Sequence, residues 1–209
     1  MSLKLQVEKL IAAAAGGAVD LKLQLGCGHN VLPGWVNTDS APSVGVDYLD
    51  FSRRFPFADG MFVAVFCEHT IEHISKAEGF FMLTEVFRVL RPGGVFRVVT
   101  PCLETFCRMV LDPDSAAARK YLDFFRRYTN DSRATISDAL NLAFYGHGHR
   151  HLYTADELSA VLQQAGFGQL ELMRAETYRH PIFNGVDGHG RVVSQEINAL
   201  EAMAFEATK

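Results

Sequence analysis

The sequence predicts a doubly wound α/β fold built on a seven-stranded, mostly parallel sheet. Three observations predict it. Short apolar runs alternate with amphipathic helical segments, the run Met61–Cys67 is apolar throughout like a strand covered on both faces, and turn residues follow those runs directly. With 209 residues, 48 % of them hydrophobic, the chain is the size of one α/β domain and can bury a core. No repeat, low-complexity tract or linker divides it, so residues 1–209 are read as a single domain.

The elements follow in order. Residues 3–15 fit an amphipathic helix, and the Ile11–Ala18 run, preceded by Lys4, Glu8 and Lys9, reads as a helix end rather than a signal peptide. Leu21–Leu25 is a buried strand stopping at the tight turn Gly26-Cys27-Gly28. Trp35–Asp39 and Val44–Leu49 are strand candidates separated by turn residues, and Met61–Cys67 is the next. Ser75-Lys-Ala-Glu78 has the form of a capping box, with Leu83, Val86, Phe87 and Leu90 at helical spacing behind it. Pro92-Gly93-Gly94 stops that helix, and Val95–Thr100 is a strand. Residues 104–146 read as helical, broken at Asp112–Ser115. Thr154–Glu157 is a second capping box, with Leu158, Val161, Leu162 and Ala165 on one face and Gly166 at the end. Gln169–Met173 is a strand, and the tail carries a helix and a last strand near residues 201–207.

Charge and cysteine usage narrow the function. Twenty Lys and Arg against 24 Asp and Glu give a net charge of −4 without a basic stripe, which argues against nucleic acid or anionic membrane as the main partner. No window of about 18 unbroken apolar residues predicts a membrane span. Cys27, Cys67, Cys102 and Cys107 form no CxxC pair, which suits reduced thiols in a cytoplasmic protein.

In doubly wound sheets ligands sit beyond the carboxyl ends of the strands. Those ends carry Gly26-Cys-Gly28, Asp39 or Asp50, Glu68-His69 and Thr100-Pro101. The glycine turn fails as a dinucleotide fingerprint because Val31 stands where Gly or Ala is needed. His69, Glu72 and His73 match the inverted zinc-protease pattern, but that motif needs an established helix, and the capping box at Ser75 starts the helix after it. Whether a metal assists at these residues, with His147, His149 or His151 as distant ligands, stays open; the site is read without one. Phe106, Tyr121, Phe124, Phe125, Tyr128, Phe144 and Tyr145 supply an aromatic stretch, Arg126, Arg127 and Arg133 suit an anionic ligand or solvent, and the glycine-rich Asn184–Arg191 loop reads as a flap or a disordered segment.

Leu-Gly-Cys-Gly (25–28), Leu-Pro-Gly-Trp-Val-Asn-Thr-Asp (32–39), Phe-Pro-Phe-Ala-Asp (55–59), Ile-Glu-His-Ile (71–74) and Glu-Val-Phe-Arg-Val-Leu-Arg-Pro-Gly-Gly (85–94) occur in that order. The string resembles the class I S-adenosylmethionine-dependent methyltransferases, in particular their small bacterial "type 11" group, over roughly residues 20–102. The resemblance implies a Rossmann-like sheet with residues 20–102 as cofactor half, 103–150 as helical acceptor lid and 151–209 as C-terminal helices and strands. It implies S-adenosylmethionine as cofactor, held by Leu25, Gly26, Cys27, Gly28, Asp39, Asp50, Phe51 and Glu68. Asp39 matches the ribose-binding acid and Asp50 falls near the adenine amine. Only ten residues separate Gly28 from Asp39, too few for a helical crossover, so Asp47 or Asp50 stays open for the ribose. Val63 departs from the usual Asp of relatives.

Methyl transfer to a hydroxyl needs a base, and neutral histidine suits that at pH 7. His69 at the strand end is the first candidate and His149 the second. The expected activity is methyl transfer to a small-molecule or glycan-type acceptor, at oxygen. The alternative is a cofactor-binding regulator or scaffold without catalysis.

Overall fold

The computed structural model describes residues 20–209, so the helix expected over residues 3–15 lies outside the described residues. The strands are β1 (Lys22–Leu25), β2 (Val36–Asp39), β3 (Asp47–Tyr48), β4 (Phe62–Glu68), β5 (Leu90–Pro101), β6 (Gly168–Arg174) and β7 (Ala202–Thr208). They form one seven-stranded sheet in the order β3-β2-β1-β4-β5-β7-β6. Every pairing from β3 through β5 is parallel, and β7 runs antiparallel to both β5 and β6. The strand order reverses at β1, and Leu25 lies opposite both Thr38 and Cys67 while Glu68 lies opposite Val99. The carboxyl ends of β1, β2, β4 and β5 therefore share one edge, where such a sheet binds ligands.

The helices are α1 (Lys76–Val89), α2 (Leu103–Leu111), α3 (Ala116–Thr129), α4 (Ile136–Asn141), α5 (Ala155–Gln164), α6 (Gly190–Val193) and α7 (Gln195–Glu201). A π-helical turn, Leu142–Gly146, extends α4. The Ser75 capping box forms as the sequence predicts: the Glu78 carboxylate accepts from Ser75 N at 2.8 Å and Ser75 Oγ from Glu78 N at 3.3 Å. Behind it Met82, Leu83, Val86 and Val89 bury α1 against β1, β4 and β5. A second apolar layer, with Trp35, Phe66, Val99 and Phe183, fills the other face of the sheet, and a third packs α2, α3 and α4 together around Phe106, Tyr121 and Phe125.

Three expectations need correction. Residues 44–49 pair over Asp47–Tyr48 only. The helix ends at Val89, and Arg91-Pro-Gly-Gly94 is the irregular start of β5, with a register shift against Phe62 and Ala64. Thr154 caps α5 through Glu157 N, but the Glu157 carboxylate bonds Lys76 and His151 instead of closing the box. The short connection from β1 to β2 contains no helix, as its length requires.

Candidate functional site

The glycine turn after β1 is left-handed at Gly26 (φ +63°) and Gly28 (φ +49°), a conformation that costs side-chain-bearing residues about 1–2 kcal/mol. The two glycines do different work. A Cβ on Gly26 would fall 2.0 Å from Thr70 Oγ1, whereas one on Gly28 would meet nothing within 4 Å. Gly28 thus presents bare backbone to open space, and its N–H donates to Asp39 Oδ2 at 2.8 Å. Asp39 Oδ1 accepts from Ala41 N at 2.9 Å, so the carboxylate is fixed at the end of β2.

A groove of about 520 Å³ runs along this edge. Gly26, Gly28, Asp39, Asp50 and Phe51 line it, together with Thr70, His69 and His73. Leu25 and Cys27 lie buried beneath, and burial, with Asp39 nearby, pushes the Cys27 thiol up to about 11. Asp50 also organises its own turn, accepting from Ser52 N at 2.9 Å and Ser52 Oγ at 2.6 Å. Asp47 is buried and does not line the groove. Glu68, expected at the cofactor, is engaged elsewhere. Its carboxylate accepts from Gly188 N at 2.8 Å and His189 N at 3.2 Å, so it anchors the Asn184–Arg191 loop instead of lining the groove. That loop is no loose flap: Val186 and Asp187 are buried, and Asp187 is ion-paired to the fully buried Arg97 of β5.

At the end of β4, His69 adopts φ +45°, a strained conformation for a residue with a side chain. Its N–H donates to Val99 O at 2.9 Å, its Nδ1 comes within 3.2 Å of Glu72 Oε1, and its ring lies against His189 with centroids 3.9 Å apart. Burial alone would lower the His69 pKa; the Glu72 carboxylate, with Glu68 and Glu201 behind it, outweighs burial and raises it to about 9. The raised pKa and the nearby Glu72 carboxylate suit His69 to donating through Nδ1 rather than to the general-base part expected of it.

Glu72 belongs to a single 3-10 turn, Ile71–His73, and is fully buried. Thr100 Oγ1 donates to its Oε2 at 3.1 Å. Its backbone carbonyl accepts from Arg150 N at 2.7 Å and His151 N at 3.2 Å, which ties the His147–His151 loop to this turn. The tie brings His149 onto His73, ring centroids 4.7 Å apart. His149 Nδ1 is 2.5 Å from Ala143 O, so Nδ1 carries the proton and Nε2 keeps its lone pair. Partial burial lowers its pKa.

Beyond these residues lies a second chamber of about 380 Å³. Phe106, Tyr121, Phe124, Phe125 and Tyr128, five of the seven aromatics singled out between residues 104 and 146, line it, while Tyr145 stays exposed. Arg126, Arg127 and Arg133 do not line it; Arg126 Nε instead donates to Ala134 O. The groove and the chamber share His69 and His73. A larger groove, about 1060 Å³, runs between α2, β6 and α7 and contains none of the predicted site residues. Sequence reasoning missed Thr70, which fills the space behind Gly26, and His189 with its partner Glu201; the Gly-His-Gly step at 188–190 was the only local signal for His189.

Residues 40–98 match the family described as "Methyltransferase domain". Among curated proteins, the ubiquinone/menaquinone biosynthesis C-methyltransferase UbiE of Desulfotalea psychrophila is 29 % identical over 118 residues, which cover 56 % of this chain and 44 % of that protein. The match therefore spans less than half of that relative. Among solved structures, a methyltransferase from Thermotoga maritima described as a possible histamine N-methyltransferase is similar at a TM-score of 0.53 and 16 % identity, over 97 % of this chain and 88 % of that one. An Archaeoglobus fulgidus S-adenosylmethionine-dependent methyltransferase gives 0.53 at 12 % identity over 100 % and 95 %. The phosphoethanolamine N-methyltransferase 2 of Haemonchus contortus, solved with phosphomonomethylethanolamine and S-adenosylhomocysteine, gives 0.54 at 13 % over 97 % and 52 %. At such identities the structures speak to fold alone. The family match over residues 40–98 and the curated relative liken the chain to methyltransferases, and the solved S-adenosylmethionine-dependent methyltransferases share its fold.

Proposed function

We propose that the protein transfers the methyl group of S-adenosylmethionine to a hydroxyl of a small-molecule or glycan-type acceptor. The observation that carries this is the junction of two chambers: the groove along the glycine turn and the aromatic chamber meet at His69 and His73. The groove fits the cofactor. Bare backbone at Gly28 leaves room for the amino-acid end; Asp39 Oδ2, holding one N–H, keeps a lone pair for a ribose hydroxyl, and Oδ1 can take another by releasing its long, 3.4 Å bond from Ser40 Oγ. Asp50 and Phe51 continue the wall toward the adenine, with Leu25 and Cys27 as the floor. When bound, S-adenosylmethionine supplies an electrophilic methyl on sulfonium.

The protein's part is alignment and proton removal. The aromatic walls hold a flat or apolar acceptor, and no Lys or Arg lines the chamber among the described residues, which favours an acceptor without anionic charge. His149, with its Nδ1 proton fixed on Ala143 O, offers the Nε2 lone pair to the acceptor's proton, and His69 lines the same chamber. The curated relative is named for a carbon acceptor and two of the solved structures for nitrogen acceptors. We assign oxygen because a hydroxyl must lose its proton as it attacks and a proton acceptor stands at the junction. The four free thiols suit a cytoplasmic setting.

Calorimetric titration with S-adenosylmethionine and its demethylated product, on wild type, Gly28→Val and Asp39→Ala, tests the cofactor half. Binding is expected in wild type, absent in Gly28→Val and weakened in Asp39→Ala. A folded wild type that binds neither compound overturns the proposal. Mass spectrometry of reactions with phenols, alcohols, sugars and amines tests the acceptor half: O-methyl products support it. Methylation of carbon or nitrogen alone, or binding without turnover, overturns the assignment to oxygen or to catalysis.

A further inference from the structure

We propose that Arg191 holds the carboxylate at the amino-acid end of the cofactor. S-adenosylmethionine carries one carboxylate, and a carboxylate leaving water is best met by a cation with parallel N–H groups. The groove itself offers no such cation. Its acidic side chains are Asp39, Asp50 and Glu78, and no Lys or Arg lines it among the described residues. Asp39 and Asp50 belong to the ribose and adenine in the proposed orientation and would repel a carboxylate placed beside them. The cation has to come from outside the groove wall, near the bare backbone of Gly28.

Arg191 is brought to the glycine turn from 161 residues away, its Nη1 donating to Asn30 Oδ1 at 3.1 Å. Asn30 belongs to that turn: its own N–H donates to Cys27 O at 2.8 Å. Asn30 is not free to swing, because its Nδ2 donates to Val186 O at 2.9 Å and packs on Gly188, where a Cβ would fall 2.5 Å from Nδ2. The loop that carries Arg191 is fastened to the same sheet edge by the Glu68 carboxylate, which accepts from the Gly188 and His189 amides. Arg191 N in turn donates to Gly188 O at 3.1 Å. The guanidinium is thus held at the turn by a neutral amide, and no carboxylate pairs with it among the described residues. It keeps its charge and most of its five donors for a ligand, in a fork that matches two carboxylate oxygens. The assignment rests on the cofactor orientation proposed above, with the amino-acid end at Gly28.

The test compares ligands with and without the carboxylate. Calorimetry is run with S-adenosylmethionine, with its decarboxylated form, which lacks only that group, and with methylthioadenosine, which lacks the whole amino-acid end. Wild type, Arg191→Gln, Arg191→Lys and Asp39→Ala are titrated with each. Arg191→Gln should weaken S-adenosylmethionine about tenfold or more and leave the two carboxylate-free ligands within about twofold of wild type. Arg191→Lys, which keeps the charge and loses the fork, should fall between the two. Asp39→Ala should weaken all three, because all three keep the ribose. Arg191 is exposed, so its variants should fold, and urea unfolding checks that they do. An Arg191→Gln loss equal for all three ligands, or no loss for S-adenosylmethionine, overturns the assignment while the cofactor reading stands. A folded wild type that binds none of the three overturns the cofactor reading and this assignment with it.

Discussion

Gly26→Ala should destabilise the protein by about 3–5 kcal/mol, and most of that loss should come from one neighbour. The left-handed backbone contributes about 1–2 kcal/mol. The new methyl would sit 2.0 Å from Thr70 Oγ1, 2.6 Å from its Cγ2 and 2.8 Å from its Cβ. Rotating the Thr70 side chain cannot clear a contact with its Cβ, so backbone must shift, and overpacking of this kind costs about 1–3 kcal/mol. Displacing Thr70 also strains the bond from its hydroxyl to Glu68 O, 2.9 Å long and worth about 1 kcal/mol. Urea unfolding followed by the fluorescence of Trp35, the sole and buried tryptophan, reads the loss directly. Thr70→Ala removes two of the three clashing atoms, so the double variant should be more stable than the sum of the singles by about 1–2 kcal/mol. A Gly26→Ala loss below about 1 kcal/mol, or a double variant additive within about 0.5 kcal/mol, refutes the packing argument.

Asp187→Ala leaves the Arg97 guanidinium, fully buried, with Glu206 as its remaining acidic partner, and should cost about 3–5 kcal/mol in the same unfolding assay. The Arg88 guanidinium holds the Glu85 carboxyl below its ordinary value. A carboxyl lowered on folding stabilises above its unfolded pKa of about 4.3, and that stability is lost as pH falls through the folded value. The urea midpoint of wild type should therefore fall more steeply below about pH 4.3 than that of Glu85→Gln; parallel profiles would count against the pairing. Iodoacetamide at pH 8 should label exposed Cys107 well before buried Cys27, as peptide mass spectrometry can show, because burial holds the Cys27 thiol at about 11.

Features set by neighbours in the chain were legible in the sequence, and features set by distant packing were not. The turn at Gly26–Gly28, the Ser75 capping box and the missing helix between β1 and β2 each follow from a few adjacent residues, and each stands in the structure. The Asn184–Arg191 loop reads as a flap because its glycines suggest freedom. Its order comes from Glu68, about 120 residues away, and from Arg97, 90 residues from Asp187. Arg97 was passed over in the sequence, where a lone charge inside the apolar run Val95–Val99 calls for a buried acid without naming which one. The Glu157 half of the Thr154 box failed for the same reason: Lys76 and His151 lie outside the helix it caps and compete for its carboxylate. At the site, the histidine motif 69–73 was in view, but its tie to His149 is made by backbone hydrogen bonds that leave no trace in residue type.

The segment from Asp187 to Val193 divides its labour over a few positions. Asp187 and the amides of Gly188 and His189 are fastened to Arg97 and Glu68, while His189, Val192 and Val193 face the aromatic chamber. The residues that fasten this stretch and those that face the chamber are thus nearly separate. A substitution at the largely exposed Val192 can reshape the chamber without touching the anchor, so the shape of this wall is free to vary while the fastening that orders the stretch stays in place.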